Sequence, residues 1–176
     1  MQKYKFEFDI SFDYNGVAWE DWFGGAKTDS FNGYRFRRKN LTSTVGFCVG
    51  GSNTEDVSLS ANVRHSISMD GNGNVTIDGN EYSLSPSSIN FFSDVHLFLF
   101  AWSLDNTPYR IGNVKFYSFR CYDGDSLVLD LIPIRIGAVG YMYDLVTCQI
   151  FGNRGTGNFI VGPDVVEVEY LESTGT

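Results

Sequence analysis

Residues 3–13 alternate without interruption, with Tyr4, Phe6, Phe8, Ile10 and Phe12 at the even positions and Lys5, Glu7, Asp9 and Ser11 between them. Only an extended chain throws successive side chains to opposite faces, so this spacing predicts a strand with one apolar and one solvated face. Wound at the helical period, the same aromatics would spread around the axis and could not be buried together. The pattern recurs along the chain. Residues 19–25, 34–38, 44–50, 57–69, 75–78, 95–101, 112–122, 127–136, 140–144 and 149–151 are short alternating or apolar runs separated by turn formers. No apolar stripe of helical spacing persists for three turns. Many short strands at this interval predict an all-β antiparallel sandwich or jelly roll.

Several runs carry finer expectations. Residues 44–50 read as buried on both faces, and 95–101 as a dense apolar strand. In 112–122 the alternation sets Val114, Phe116, Ser118 and Arg120 opposite Lys115, Tyr117, Phe119 and Cys121. Pro133 places a bend or a sheet edge within 127–136, because proline has no N–H to give a ladder. Asp70, Gly71, Asn72, Gly73 and Asn74 have the composition of a hairpin tip, and Asp78, Gly79 and Asn80 turn the chain again.

A chain of 176 residues fits one domain with a substantial core. Hydrophobic residues at 43% and charged residues at 19% place it among globular chains, and aromatics at 16% favour strands. A net charge of −8 argues against a nucleic-acid partner, which needs a basic face. No run of eighteen apolar residues is present, so no membrane-inserted helix is expected, and the first residues lack the apolar core of a signal peptide. Cys48, Cys121 and Cys148 have no metal-ligand spacing; Cys48 and Cys121 sit in apolar strand contexts, where a free thiol packs as a small hydrophobe. One disulfide remains open.

Five ordered motifs carry a family resemblance. Residues 64–79, RHSISMDGNGNVTIDG, are similar to a hairpin of the form R-H-x-I followed by an N-G-x-V-x-V-D-G return. Residues 111–123 read IGNVKFYSFRCYD. Residues 127–135 with 140–144, LVLDLIPIR and GYMYD, are similar to an L-V-x-D-F-I-P-x-R … G-x-Y-D segment. Residues 149–163 read QIFGNRGTGNFIVGP, and 170–176 read YLESTGT. Together they resemble the LamG-like (concanavalin A-like) jelly-roll domains of phage tail, prophage and gut-bacterial surface proteins. In that family Y-L-E-S-T-G-T opens the domain, whereas here it stands at residues 170–176. Cys148 occupies a turn position where the family more often has a small residue such as glycine. The resemblance implies a body over residues 1–164 and a terminal strand over 165–176, with the family's first strand at the C-terminus.

The candidate chemistry is sparse. Glu167, Glu169 and Glu172 are similar to the E-x-D-x-x-E run of jelly-roll glycosidases, but in a regular strand Glu172 points away from the other two. A solvated strand face is therefore expected there, and no catalytic residue is assigned. Asp70, Asn72 and Asn74 begin a set with the spacing of Ca²⁺ ligands. Val75 stands where such a loop needs glycine, so a hairpin tip without metal is expected, and no cofactor. His65 and His96 lie in strands with no nucleophile signalled nearby. Trp19, Trp22, Phe23 and Trp102 are suited to stacking on sugar rings and equally suited to filling a jelly-roll core. Arg35, Arg37, Arg38 and Lys39 form one basic cluster in an acidic chain. It suits an anionic sugar or a partner's carboxylate, with Arg35 and Arg37 as glycan-binding candidates, and a charge-protected strand edge is the plainer expectation.

The resemblance implies a non-enzymatic binding or structural module of a virion or bacterial cell surface, with a cell-surface glycan or glycoprotein as partner. Two rival functions follow from the same residues: an assembly protein that self-associates through its terminal strand, and a glycosidase. Val166, Val168, Tyr170 and Leu171 are the expected assembly strand. Residues 166–171 are expected to pair beside residues 3–12, either in their own domain or, as the terminal string favours, in a neighbour's groove.

Overall fold

A computed structural model describes residues 4–13, 19–26, 33–39, 43–53, 57–86, 96–154 and 158–162. Among these residues there are strands and no helix. In chain order they are β1 (Tyr4–Ser11), β2 (Trp19–Ala26), β3 (Tyr34–Lys39), β4 (Thr44–Val49), β5 (Ser52–Asn53), β6 (Val57–Ser58), β7 (His65–Asp70) and β8 (Asn74–Ile77). They continue as β9 (Asn80–Ser83), β10 (Phe98–Leu99), β11 (Trp102–Leu104), β12 (Thr107–Tyr109), β13 (Lys115–Asp123), β14 (Ser126–Ile136), β15 (Val139–Asp144) and β16 (Ile150–Phe151). Two sheets result. One has the order β16-β15-β14-β13-β1-β7-β8-β9, the other β12-β11-β2-β3-β4-β5, with β10 also on β2 and β6 also on β4. All pairings are antiparallel except β11 with β2. The molecule is an all-β sandwich.

The alternation of β1 does what its sequence demands. Phe6, Phe8, Ile10 and Phe12 are buried. Phe6 meets Phe23 at 4.8 Å and Tyr34 at 4.7 Å, while Phe8 meets Phe36 at 5.5 Å, so this strand's apolar face knits the two sheets together. β1 lies in the middle of its sheet, paired with β13 on one edge and β7 on the other. Both edges of β1 are thus occupied by described strands, and the expected pairing of residues 166–171 beside residues 3–12 falls on residues outside those described. Val166, Val168, Tyr170 and Leu171, and with them Glu167, Glu169 and Glu172, lie outside the described residues.

Three expectations change. The strict alternation read in 112–122 would separate Phe116 from Phe119, yet both are buried in the core. Opposite Asp9 and Ile10 the register slips from Ser118 to Phe116, and the extra residue, Tyr117, bulges outward to meet Ser11 Oγ at 3.0 Å. The apolar run at 95–101 yields only the two paired residues of β10, since Phe100 takes a left-handed φ of 66° and redirects the chain into β11. The Arg-rich segment is no sheet edge: β3 is paired on both sides, by β2 and β4. Pro133 behaves as expected of an edge, for the β13 ladder stops at Leu131 and Pro133 pairs only toward Met142.

The turns are built from side-chain acceptors. Asp70 Oδ1 accepts the amides of Asn72 and Asn74, and Oδ2 accepts Asn74 Nδ2 at 2.8 Å, so this carboxylate is engaged by its own hairpin. Among the described residues no group of three or more His, Cys, Asp and Glu is placed to hold a metal. After β15, buried Asp144 accepts the amide of Asp130 at 2.8 Å through Oδ1, and the amide and hydroxyl of Thr147 through Oδ2. Cys148 closes that turn at φ 59°, which explains why its position suits glycine. All three cysteines are free. Burial pushes the Cys121 thiol up to about 12, and Cys48 is also raised by burial.

Asp144 makes a measurable pH prediction. Burial alone would raise its carboxyl, but the Thr147 hydroxyl and the amides of Asp130, Val146 and Thr147 hold it below its ordinary 3.8. A depressed carboxylate contributes stability that is complete above its unfolded value and is lost as pH falls through its folded value. Asp144→Asn is expected to cost about 1–3 kcal/mol at pH 7, since an amide oxygen replaces one acceptor and an NH₂ faces Thr147. The penalty should shrink as urea melts are taken from pH 5 downward. A penalty constant between pH 7 and pH 2 would contradict the assignment.

Candidate ligand-binding surface

On the hairpin of β2 and β3, cross-strand register decides which side chains share a face. Trp19 stands opposite Lys39, Glu20 opposite Arg38 and Asp21 opposite Arg37. A bulge between Asp21 and Phe23 then lets both Trp22 and Phe23 turn inward. Trp22 is 0% exposed and lies 4.7 Å from the Phe12 ring, and Phe23 is equally buried. Glu20 and Arg38 pair at 3.3 Å inside the sandwich, where Trp22 Nε1 also donates to Glu20. The opposite face of the same strands carries Trp19, Asp21, Arg35 and Arg37.

That outer face is organised around Asp21. Its carboxylate receives both Arg35 Nε at 2.5 Å and Arg35 Nη2 at 2.7 Å, a bidentate pair in which each side chain is at most 2% exposed. Burial pushes the Asp21 carboxyl up, and Arg35, Arg110 and Arg37 offset this only in part. Arg35 also stacks 4.3 Å from the Trp102 ring, which β11 brings beside β2. Trp102 packs at 6.0 Å against Tyr109 of β12. The Arg110 carbonyl accepts the Asp21 amide at 3.0 Å, fixing the loop after β12 against β2.

The result is an aromatic and cationic surface above a buried ion pair. Trp19 is 38% exposed, with the Arg37 guanidinium 5.1 Å and the Arg110 guanidinium 5.6 Å from its ring. Arg110 also lies 5.2 Å from the ring of Tyr109, itself 44% exposed. Burial and neighbouring Arg35 lower the proton affinity of Arg37, opposed by Asp21, but a guanidinium stays charged. Of the five residues singled out from sequence, Trp19 and Arg37 meet at this surface, while Trp22, Trp102 and Arg35 are packed away from solvent. Tyr109, Arg110 and the organising Asp21 had no signal of their own. They join the site only because β2 takes β11 as a parallel neighbour and Ile111 bridges to Asp21.

The outer face of the other sheet differs in kind. Its depression is lined by polar groups such as Glu7, Asp9, Ser66, Ser68 and Arg120. Its charges neutralise one another, Lys5 with Glu7 at 2.5 Å and Arg64 with Asp9 at 2.6 Å. His65 is a structural clamp, with Nδ1 at 2.6 Å from Asp78 Oδ2 and Nε2 at 2.8 Å from the Ser60 carbonyl. Among the described residues no helix is long and apolar enough to cross a membrane. No family model matches the chain, and no curated protein matches it.

Proposed function

We propose that this sandwich is a LamG-like jelly roll acting as a non-enzymatic binding module of a phage, prophage or bacterial surface protein, and that it recognises a glycan or glycoprotein through Trp19, Arg37, Tyr109 and Arg110. The carrying observation is the exposed Trp19 indole between two guanidiniums on a rigid sheet. An indole offers a flat apolar face for the C–H side of a sugar ring. Guanidiniums beside it favour a carboxylate held in the plane of their N–H groups, so acidic sugars are the preferred class. The five ordered motifs that resemble the family support the placement on a virion or cell surface.

The test is titration of acidic and neutral oligosaccharides into the full chain. Trp19→Ala is expected to weaken binding at least about tenfold, the equivalent of about 1.4 kcal/mol. Arg110→Ala should erase the preference for acidic over neutral sugars, and the bound oligosaccharides should be recovered uncleaved. Retention of no glycan, equal affinity in Trp19→Ala, or release of products would each overturn part of this reading.

A further inference from the structure

On the outer face of the sheet that holds β1, polar side chains stand in register from strand to strand. Across β14, β13, β1, β7, β8 and β9, the residues Asp130, Arg120, Glu7, Ser68, Thr76 and Glu81 lie opposite one another in turn. Neighbouring strands are about 4.8 Å apart, so this row extends about 24 Å across the sheet. A second row, Ser118, Asp9 and Ser66, runs beside it two residues along each strand, at about 7 Å. Over the two rows lies a depression of about 420 Å³, its floor kept low by the short side chains of Ser66, Ser68, Thr76 and Ser118. Sites for small ligands usually hold about 300–1,000 Å³.

The charged members of the rows are held in place. Glu7 takes Lys5 Nζ at 2.5 Å on Oε1 and the Tyr122 hydroxyl at 3.1 Å on Oε2. Burial alone would raise its carboxyl, but these partners keep it below its ordinary 4.5, so it remains an acceptor. Arg64 donates twice to Oδ2 of Asp9, at 2.6 and 3.1 Å, which leaves Oδ1 to accept from elsewhere. Arg120 gives Nε to Asp130 at 3.1 Å and keeps the donors of its terminal nitrogens. Groups fixed in this way lose little freedom when a ligand arrives. Tyr117 and Tyr122 flank the two rows along β13, and the Arg64 guanidinium lies 4.5 Å from the Tyr117 ring.

We infer that this trough is a second binding site, for an extended, uncharged, hydroxyl-rich glycan chain lying across the strands. Its two parallel rows of donors and acceptors meet the hydroxyls that such a chain presents along both its edges. Three features select that class. Lys5, Arg64 and Arg120 are each paired with a carboxylate, which disfavours an anionic ligand. The strands beneath the trough are paired on both sides, so a peptide finds no sheet edge to join. The floor bears hydroxyls, which a lipid or other apolar ligand would leave without partners. The trough and the Trp19 surface belong to different sheets, and this inference does not rest on recognition of acidic sugars.

Calorimetric titration of cellohexaose, mannohexaose and xylohexaose tests it, in the full chain carrying Trp19→Ala to disable the opposite face. At least one of the three is expected to bind. Ser68→Phe, which fills the trough, should then weaken that binding at least about tenfold. Glu7→Gln with Asp9→Asn keeps the side-chain sizes but removes the charged acceptors, and the same loss is expected with the circular dichroism spectrum unchanged. If Ser68→Phe fails to fold, this second pair of changes decides. Absence of binding by all three sugars, or equal affinity after either alteration of a folded trough, would overturn the proposal. So would binding to the unaltered chain that Trp19→Ala abolishes, since the uncharged chain would then sit on the other face.

Discussion

Asp21→Ala should destabilise the sandwich by about 3–5 kcal/mol, the usual consequence of removing one member of a buried ion pair and leaving the other charge without it. For a domain of this size that corresponds to a fall in Tm of about 6–20 °C. The geometry gives the reason. Arg35 reaches Asp21 through two parallel N–H···O bonds, and both side chains are almost wholly out of water. Replacing both partners with apolar residues of similar volume, as in Asp21→Leu with Arg35→Met, removes the uncompensated charge. It should cost less than either single change. Thermal melts of the three variants measure this coupling, and a double variant no better than the sum of the singles would show that the pair does not act as a unit.

Phe8→Ala should cost a similar amount, about 3–5 kcal/mol, through loss of buried area and the cavity left behind. Among the described residues the Phe8 ring has four aromatic neighbours: Phe23 at 5.7 Å, Phe36 at 5.5 Å, Phe116 at 6.0 Å and Phe119 at 5.8 Å. Two of these belong to each sheet, so one truncation loosens the interface from both sides. Tyr109→Ala on the surface should fall within about 0.5 kcal/mol of the unaltered chain. Urea unfolding distinguishes the two, and a Phe8→Ala loss below about 1 kcal/mol would mean that the surrounding rings collapse to refill the space.

What the sequence revealed depended on whether a signal was local. The alternation in β1 is a property of neighbouring residues and passed directly into the core. In β13 the same logic failed at Tyr117, because a bulge is set by the partner strand rather than by the strand's own pattern. The arginines of β3 read as edge protection when viewed alone. Set against Glu20 and Asp21 of the facing strand, they form two ion pairs on opposite faces, a complementarity visible in the sequence only once the hairpin register is known. Trp19 and Arg37 were both among the residues singled out from sequence, but their contact follows only from the same hairpin register. Arg110 was not, because its place beside Trp19 comes from a contact between segments far apart in the chain.

The central position of β1 also shapes how the protein comes into being. Its two partners, β7 and β13, lie a little over one third and about two thirds of the way along the chain. A ribosome adding about 5–20 residues per second therefore releases this aromatic-faced strand seconds before its second partner exists. Pairings so distant in sequence form slowly, because the intervening chain must be closed into a loop before any contact compensates for it. During that interval the aromatic face of β1 lacks the partner that completes its sheet, and synthesis, rather than the finished sandwich, is where aggregation competes with folding.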